Sequence, residues 1–252
     1  MHITQSLGVP KKIRCENIQK STQDYLKTVY NLSKNGEIVN NTDIAQKLDV
    51  SPASVTEMLK KLADEDYIKY SPYHGSSLTK KGLKEAQKIT RKHRLLESFL
   101  SNVLRIGNDK VHQEACQMEH TLSDEAEESL CRLLKHPDTC PDDDKTIPAC
   151  DLPFSNCEEC IQLHQKGLEQ VGKRDKNLIS IRELKNGTFG KISFIRGEHK
   201  VLQRLLDMGL TPGTKIQVIK VAPMNGPVEV AVRGSKLALG KDIACNVFIE
   251  ME

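Results

Sequence analysis

The stretch "NNTDIAQKLDVSPASVTEMLKKLADEDYIKY", residues 40–70, decides the reading of the N-terminal half of this chain. Ile44, Ala45 and Leu48 form a short apolar stripe behind an Asn/Thr start, as one face of a helix requires. After the tight "DVS" turn, Ser51 suits an N-cap and Pro52 the first helical position, while Val55, Met58, Leu59 and Leu62 recur as a buried face. Two short helices about a tight turn make a helix-turn-helix pattern. The residues that follow, "YIKYSPYHGSSLTKKG", read as two short strands around a Pro/His/Gly/Ser turn, and a hairpin in this place is a wing. Any small three-helix domain with a hairpin would share part of this pattern. The wing, with Lys60, Lys61, Lys69, Lys80 and Lys81 nearby, tips the reading to DNA binding. In the second helix, placed in a major groove, Ser51, Ala53, Ser54 and Thr56 are candidates for base-edge contact and Lys60 and Lys61 for phosphate contact.

Working outward, "STQDYLKTVYNLSK" (residues 21–34) predicts a preceding helix. "KKGLKEAQKITRKHRLLESFLSNV" (80–103) predicts a long one, and "SDEAEESLCRLLKHP" (123–137) another with acids in its first turn. From "DTCPDDDKTIPACDLPFSNCEEC" the periodicity collapses into Pro, Asp and Cys. Beyond residue 178 the period changes to that of half-buried strands, in "TFGKISFI", "TKIQVIKV", "PVEVAV" and "CNVFIE". One helical insert, "EHKVLQRLLDMG", interrupts them, and the set suggests a small SH3-like β-barrel. The expected architecture is therefore mainly α with a small C-terminal barrel. Its parts are an arm over 1–20, a winged helix-turn-helix domain over 21–85, a helical domain for metal binding and dimerisation over 86–140, a Cys-rich linker over 141–177 and the SH3-like domain over 178–252.

The 252 residues suffice for two or three small domains, and 38% hydrophobic with 28% charged residues describes a soluble chain. No apolar run approaches a membrane span and the first residues lack the apolar core of a signal peptide, so the cytoplasm is the expected location. The net charge of +3 conceals a division. Residues 1–85 carry 13 Lys/Arg against 10 Asp/Glu, whereas residues 110–160 carry 4 against 13. A basic head suited to phosphate thus precedes an acidic middle suited to cations.

That acidic middle opens with "KVHQEACQMEH", residues 110–120. On a helix, His112, Cys116, Glu119 and His120 would share one face, where imidazole, thiol and carboxylate replace the usual aliphatic residues. Such a face is either turned to water or builds a metal site. Cysteines in a cytosolic chain suggest metal or redox chemistry rather than disulfides. Cys140, Cys150, Cys157 and Cys160 fall in one 21-residue stretch ending in the chelating pair "CEEC", which suggests a structural Zn²⁺ or iron site. Incidental reduced thiols and redox sensing are the alternatives there.

The chain resembles the metal-dependent repressors of the diphtheria toxin repressor and iron-dependent regulator type. The resemblance covers residues 21–140 and rests on "YLKTVYNL", "DIAQKLDVSPASVTEMLKKL", "LTKKG", "RKHRLLESFL" and "DKVHQEACQMEHTLSD". The last 75 residues resemble the SH3-like domain of ferrous iron transport protein A. The resemblance implies a homodimer that binds a palindromic operator in double-stranded DNA and represses metal-uptake genes when Fe²⁺, alternatively Mn²⁺, is sufficient. It also implies a regulatory metal site of Asp24, Cys116, Glu119 and His120, and an ancillary one of His93, Glu97 and His112 with Glu198 from the SH3-like domain. Iron-type members place Met where Asp24 stands, and manganese-type members place a carboxylate where Cys116 stands, so both metals remain open. An ancillary ligand expected from the SH3-like domain falls on Val201, with His199 as a substitute. Two enzyme readings are weaker. A mononuclear metal hydrolase would lack an H-E-x-x-H motif here, and a Cys116 nucleophile with His120 would lack an oxyanion loop.

Overall fold

A computed structural model describes residues 20–33, 37–72, 74–165, 174, 176–197, 199–223 and 226–251. Helix α1 (Lys20–Leu32) packs with α2 (Asn41–Leu48) and α3 (Pro52–Asp64) about Leu26, Val29, Ile44, Val55, Leu59 and Leu62, all inaccessible to water. Ser51 caps α3 as its sequence suggests, its side chain accepting from the Ser54 amide, with Pro52 in the first turn. Between α2 and α3 the chain turns at Asp49, whose φ of 54° is left-handed. Strands β1 (Ile68–Ser71) and β2 (Gly75–Leu78) pair antiparallel and form the expected wing.

Helix α4 (Lys80–Asn102) starts on the Thr79 cap and runs without a break past residue 85, the expected domain boundary. It contacts α1 on one side and both α5 (Asn108–Met118) and α6 (Asp124–Leu133) on the other. Every residue from Ile89 to Ser98 is buried, including Arg91, Lys92, His93, Arg94 and Glu97. The Pro/Cys-rich segment after α6 is a packed strap rather than a loose connection. Arg94 donates to the Thr146 carbonyl, and Arg196 reaches the carbonyls of Ile147 (2.6 Å) and Pro148 (3.2 Å). The strap leads into α7 (Cys157–Gln165), which periodicity did not reveal.

The C-terminal domain contains β3 (Ile179–Ser180), β4 (Phe189–Ile195), α8 (His199–Asp207), β5 (Lys215–Val221), β6 (Val228–Val232), β7 (Ser235–Leu239), α9 (Lys241–Ala244) and β8 (Val247–Met251). Its strands form one antiparallel sheet in the order β3-β8-β4-β5-β6-β7 around a core that includes Ile192, Ile195, Val218 and Val230. Among the described residues the edge strands β3 and β7 are not paired with each other, so this SH3-like sheet is open rather than a closed barrel.

The start of α4 is fixed by a close approach that only glycine allows. A Cβ added at Gly82 would lie 1.8 Å from the Tyr67 carbonyl oxygen, which already accepts from Thr79. Backbone cannot yield there, so Gly82→Ala is expected to destabilise the chain by about 3 kcal/mol. Urea unfolding followed by circular dichroism checks this; an unchanged midpoint would show that the junction between wing and α4 is loose.

Candidate metal centre

The donors suggested by sequence meet where α1, α4 and the end of α5 converge. Helix α5 is shorter than the motif implied. It ends at Met118, where Thr121 and Leu122 both turn back to the Met118 carbonyl, so Glu119 and His120 stand at and beyond its end. His112 and Cys116 remain on the helix. His120 Nε2 lies 3.0 Å from Asp24 Oδ1 and 3.3 Å from Glu119 Oε1, and its Nδ1 meets Gln23 Oε1 at 2.6 Å. Asp24 and Gln23 belong to α1 in the DNA-binding part, so this contact spans two domains.

Next to it, His93 Nδ1 is 2.5 Å from Glu119 Oε2, while His93 Nε2 is 2.8 Å from Glu97 Oε1. His112 Nδ1 reaches the same Glu97 oxygen at 2.9 Å. Donor atoms lie within 4.8 Å of one another in three groups: Asp24 with Glu119 and His120, His93 with His112 and Cys116, and Glu97 with His112 and Asp142. Cys116 therefore sits with the ancillary histidines, 3.7 Å from His112 Nε2, rather than beside His120. One helical turn separates Cys116 from both His112 and His120, and the chain leaves the helix before His120, which rotates it away.

Two further residues belong here that motif reading did not place. Lys27 on α1 projects into the network, its ammonium 2.7 and 2.8 Å from the two Glu119 oxygens, 3.2 Å from His93 Nδ1 and 4.0 Å from Cys116 Sγ. Asp142 joins Glu97 and His112 from the strap. No spacing rule reaches Lys27, because its partner Glu119 is 92 residues away. Cys140, expected with the other strap cysteines, instead donates to Glu97 Oε2 at 2.8 Å. The proposed four-cysteine set is thus divided, with Cys140 drawn to a buried carboxylate that needs a donor. Glu198 lies outside the described residues.

The electrostatics are those of a tightly paired polar interior. Burial disfavours the charged form of His93, yet hydrogen bonds to Cys116, Glu119 and Glu97 outweigh it and push its pKa up to about 10. Burial likewise opposes ionisation of Glu97, but its hydrogen bond and attraction to His93 hold its carboxyl down to about 2. Glu119 is lowered against the same burial effect by His93 and Lys27. Burial and the Glu97 carboxylate push the Cys140 thiol up to about 12, so it donates as a neutral group. Carboxylates, imidazoles and one thiol converging this closely fit a first-row divalent cation. An ion taking these donors must displace the Lys27 ammonium and a His93 proton.

On the candidate reading head, Ala53 and Ser54 are exposed, whereas the Thr56 hydroxyl donates to the Pro52 carbonyl and accepts from Asn41. The Ser51 side chain is engaged by its cap. Lys60 and Lys61 are exposed on the following turn.

Fold and site together define a winged-helix DNA-binding protein whose reading head meets a second helical domain through a network of carboxylates, imidazoles and a thiol. Comparison with known proteins agrees. Residues 17–76 match the iron dependent repressor N-terminal DNA-binding domain, 79–148 the iron dependent repressor metal-binding and dimerisation domain, and 179–251 the FeoA domain. A relative described as an uncharacterized HTH-type transcriptional regulator, MJ0568 of Methanocaldococcus jannaschii, is 40% identical over 114 residues, covering 45% of this chain and 91% of the relative. The diphtheria toxin repressor of Corynebacterium glutamicum is 28% identical over 240 residues (93% of this chain, 98% of the relative). The iron-dependent repressor IdeR of Mycobacterium tuberculosis is 26% identical over 236 residues (91% and 96%). The solved structure of the manganese regulator SloR aligns with 92% of this chain and 98% of its own at 29% identity, with a TM-score of 0.47. The chain belongs to the iron-dependent repressor family: it is a metal-dependent DNA-binding transcriptional repressor and not an enzyme. Among the described residues no helix is long and apolar enough to cross a membrane.

The position of Lys27 yields a measurable expectation. Replacing its ammonium by a neutral side chain removes a charged hydrogen-bonding competitor worth about 1.5–3 kcal/mol. Lys27→Gln should therefore raise divalent-metal affinity by roughly tenfold to a hundredfold, read by competition with a fluorescent chelator. Equal or weaker binding would make Lys27 a structural partner only.

Proposed function

We propose that the chain is a cytoplasmic homodimer that represses metal-uptake genes from a palindromic operator when Fe²⁺ is sufficient. The regulatory site is Asp24, Glu119 and His120, completed by Cys116 when its side chain turns from His93 and His112, and the ancillary site is His93, Glu97 and His112, with Glu198 from the C-terminal domain. One observation carries the reading: Asp24 of α1 lies 3.0 Å from His120 of the adjoining domain, so one donor set straddles the joint between reading head and dimerisation domain. A divalent cation supplies positive charge that neutralises Asp24 and Glu119, which would otherwise repel. Those side chains then hold α1, and α3 packed behind it, in one orientation toward the groove. Exposed Val103, Leu104 and Leu133, all within the segment matched to a dimerisation domain, offer apolar surface to a second copy. Asp24 in the first-helix position keeps a manganese-responsive reading as the second choice, since two carboxylates and an imidazole suit Mn²⁺ as well.

Selection of bound sequences from a random duplex pool, followed by anisotropy titration in buffered metals at equal free concentration, tests this directly. An inverted repeat bound only with Fe²⁺ or Mn²⁺ supports the reading, and equal binding in chelator sinks it. His120→Ala and Asp24→Ala should each abolish metal-activated binding. Their double variant should be little worse than either, because the two share one ion. His93→Ala should weaken activation without removing it.

Phosphate contact gives a separate check. Lys60→Ala/Lys61→Ala should lower affinity across sequences and reduce the slope of log K against log salt by roughly two. An unchanged slope would remove both lysines from the interface.

A further inference from the structure

Away from the centre just described, four cysteines and a histidine surround a small cavity of about 20 Å³ where α6, the strap, α7 and the C-terminal sheet meet. Cys131 comes from α6, His136 from the turn after it, Cys150 from the strap, and Cys157 and Cys160 from α7. Cys131, Cys157 and Cys160 are each less than 9% exposed. His136 Nδ1 lies 3.5 Å from Cys131 Sγ. Burial pushes the Cys150 and Cys160 thiols up.

Buried thiols are often ordinary core residues, and Cys157 does pack with Leu178, Phe194 and Phe248. Packing alone does not account for the cations. Arg91 and Arg132 line the cavity with the cysteines, and Arg196 is buried nearby, its charge acting on Cys157 and Cys131. Arg91 and Arg196 are 3% exposed, and Arg196 directs its hydrogen bonds to backbone carbonyls. Arg132 Nη1 is buried without a hydrogen bond among the described residues. A neutral thiol is a weak acceptor, and buried guanidinium groups require anionic or well-oriented partners. Arg91 meets that requirement through Glu127 and the Pro148 carbonyl, and Arg196 through its carbonyls, so Arg132 Nη1 is the donor left for negatively charged sulfurs to satisfy.

We propose that this chamber binds one Zn²⁺ through Cys131, Cys150, Cys157 and Cys160 as thiolates. Four sulfur–zinc bonds form and four thiol protons pass to solvent, with no change of oxidation state. The resulting double negative charge is offset by Arg91 and Arg196, and His136 and Arg132 donate to the sulfurs as outer partners. Cys157 and Cys160 provide the C-x-x-C pair of a structural zinc site on one helix, and the other two donors come from separate segments. The sulfurs do not gather within 4.8 Å of one another as the donors of the regulatory centre do. Ligation therefore requires rotation of the cysteine side chains to a sulfur–sulfur spacing of about 3.8 Å. Cys140 takes no part, since its thiol is committed to Glu97. The ion would pin the strap and α7 to α6 and the sheet, so its role is structural and independent of the regulatory metal.

The full chain carrying Cys116→Ser and His120→Ala, which disable the regulatory centre, is the protein to test. After exhaustive dialysis it should retain about one zinc per chain by elemental mass spectrometry, with a sulfur-dominated shell in X-ray absorption. Cobalt exchange should give an intense thiolate charge-transfer band. Adding Cys157→Ser and Cys160→Ser should remove metal and band together, whereas Cys140→Ser should leave both intact. Because the serine variants can fail to fold, native alkylation of the parent protein provides a second reading. Cys131, Cys150, Cys157 and Cys160 should be protected until a strong chelator is added, and then react together. Absence of retained zinc and of the cobalt band would overturn the proposal. So would a Cys157–Cys160 disulfide in protein prepared under reductant, or zinc loss in Cys140→Ser equal to that in the α7 variant.

Discussion

The structure depends on how α4 disposes of its buried charge. Arg91, Lys92, His93, Arg94 and Glu97 lie within seven consecutive positions, and all are buried. Each would cost several kcal/mol to remove from water unpaired. Their partners consequently determine the surroundings. Arg91 takes Glu127 of α6 and the Pro148 carbonyl, and Lys92 takes Asp124 and the Leu122 carbonyl. Arg94 takes Thr146, and Glu97 takes His93, His112 and Cys140. The strap, which contains little apolar surface of its own, is shaped by these guanidinium groups binding its carbonyls.

The same demand for partners joins the two candidate metal sites into one network. Glu119 is shared between His120 and His93, and Glu97 between His93 and His112. Removing any one member leaves a buried group without its partner, so effects at one site propagate to the other. Lys27 enters this network from the DNA-binding side, and its charge opposes an incoming ion at the point where the domains are to be joined. The centre therefore balances an internal cation against an external one.

What could be read from sequence was what is local. The α3 cap and the wing follow from neighbouring residues, and local cap and turn chemistry located them. The donor motif was legible for a similar reason: His112, Cys116, Glu119 and His120 lie within nine residues. The grouping of those donors was not, because α5 ends before His120 and because Cys116 turns to His93, which is 23 residues away in sequence. Lys27 carries no local signal on α1 and is a member of the centre only through packing of distant segments. Proximity in sequence grouped Cys140 with the other strap cysteines, whereas its thiol faces the buried Glu97 carboxylate and Cys131 of α6 lines one cavity with Cys150, Cys157 and Cys160. The open sheet and the short strands β3 and β7 carry too few residues for period to reveal.

The uninterrupted course of α4 has a mechanical consequence. From Lys80 beside the wing to His93 in the metal network is 13 residues of one helix, about 20 Å of a rod that resists bending. A tilt of only about 5° at the His93 end displaces the other by nearly 2 Å, more than the range over which a hydrogen bond to a base edge is made or lost. Sub-ångström adjustments among Glu97, Glu119 and His93 are thus geared up on their way to the groove. The gear ratio is set by nothing more than the length of the arm.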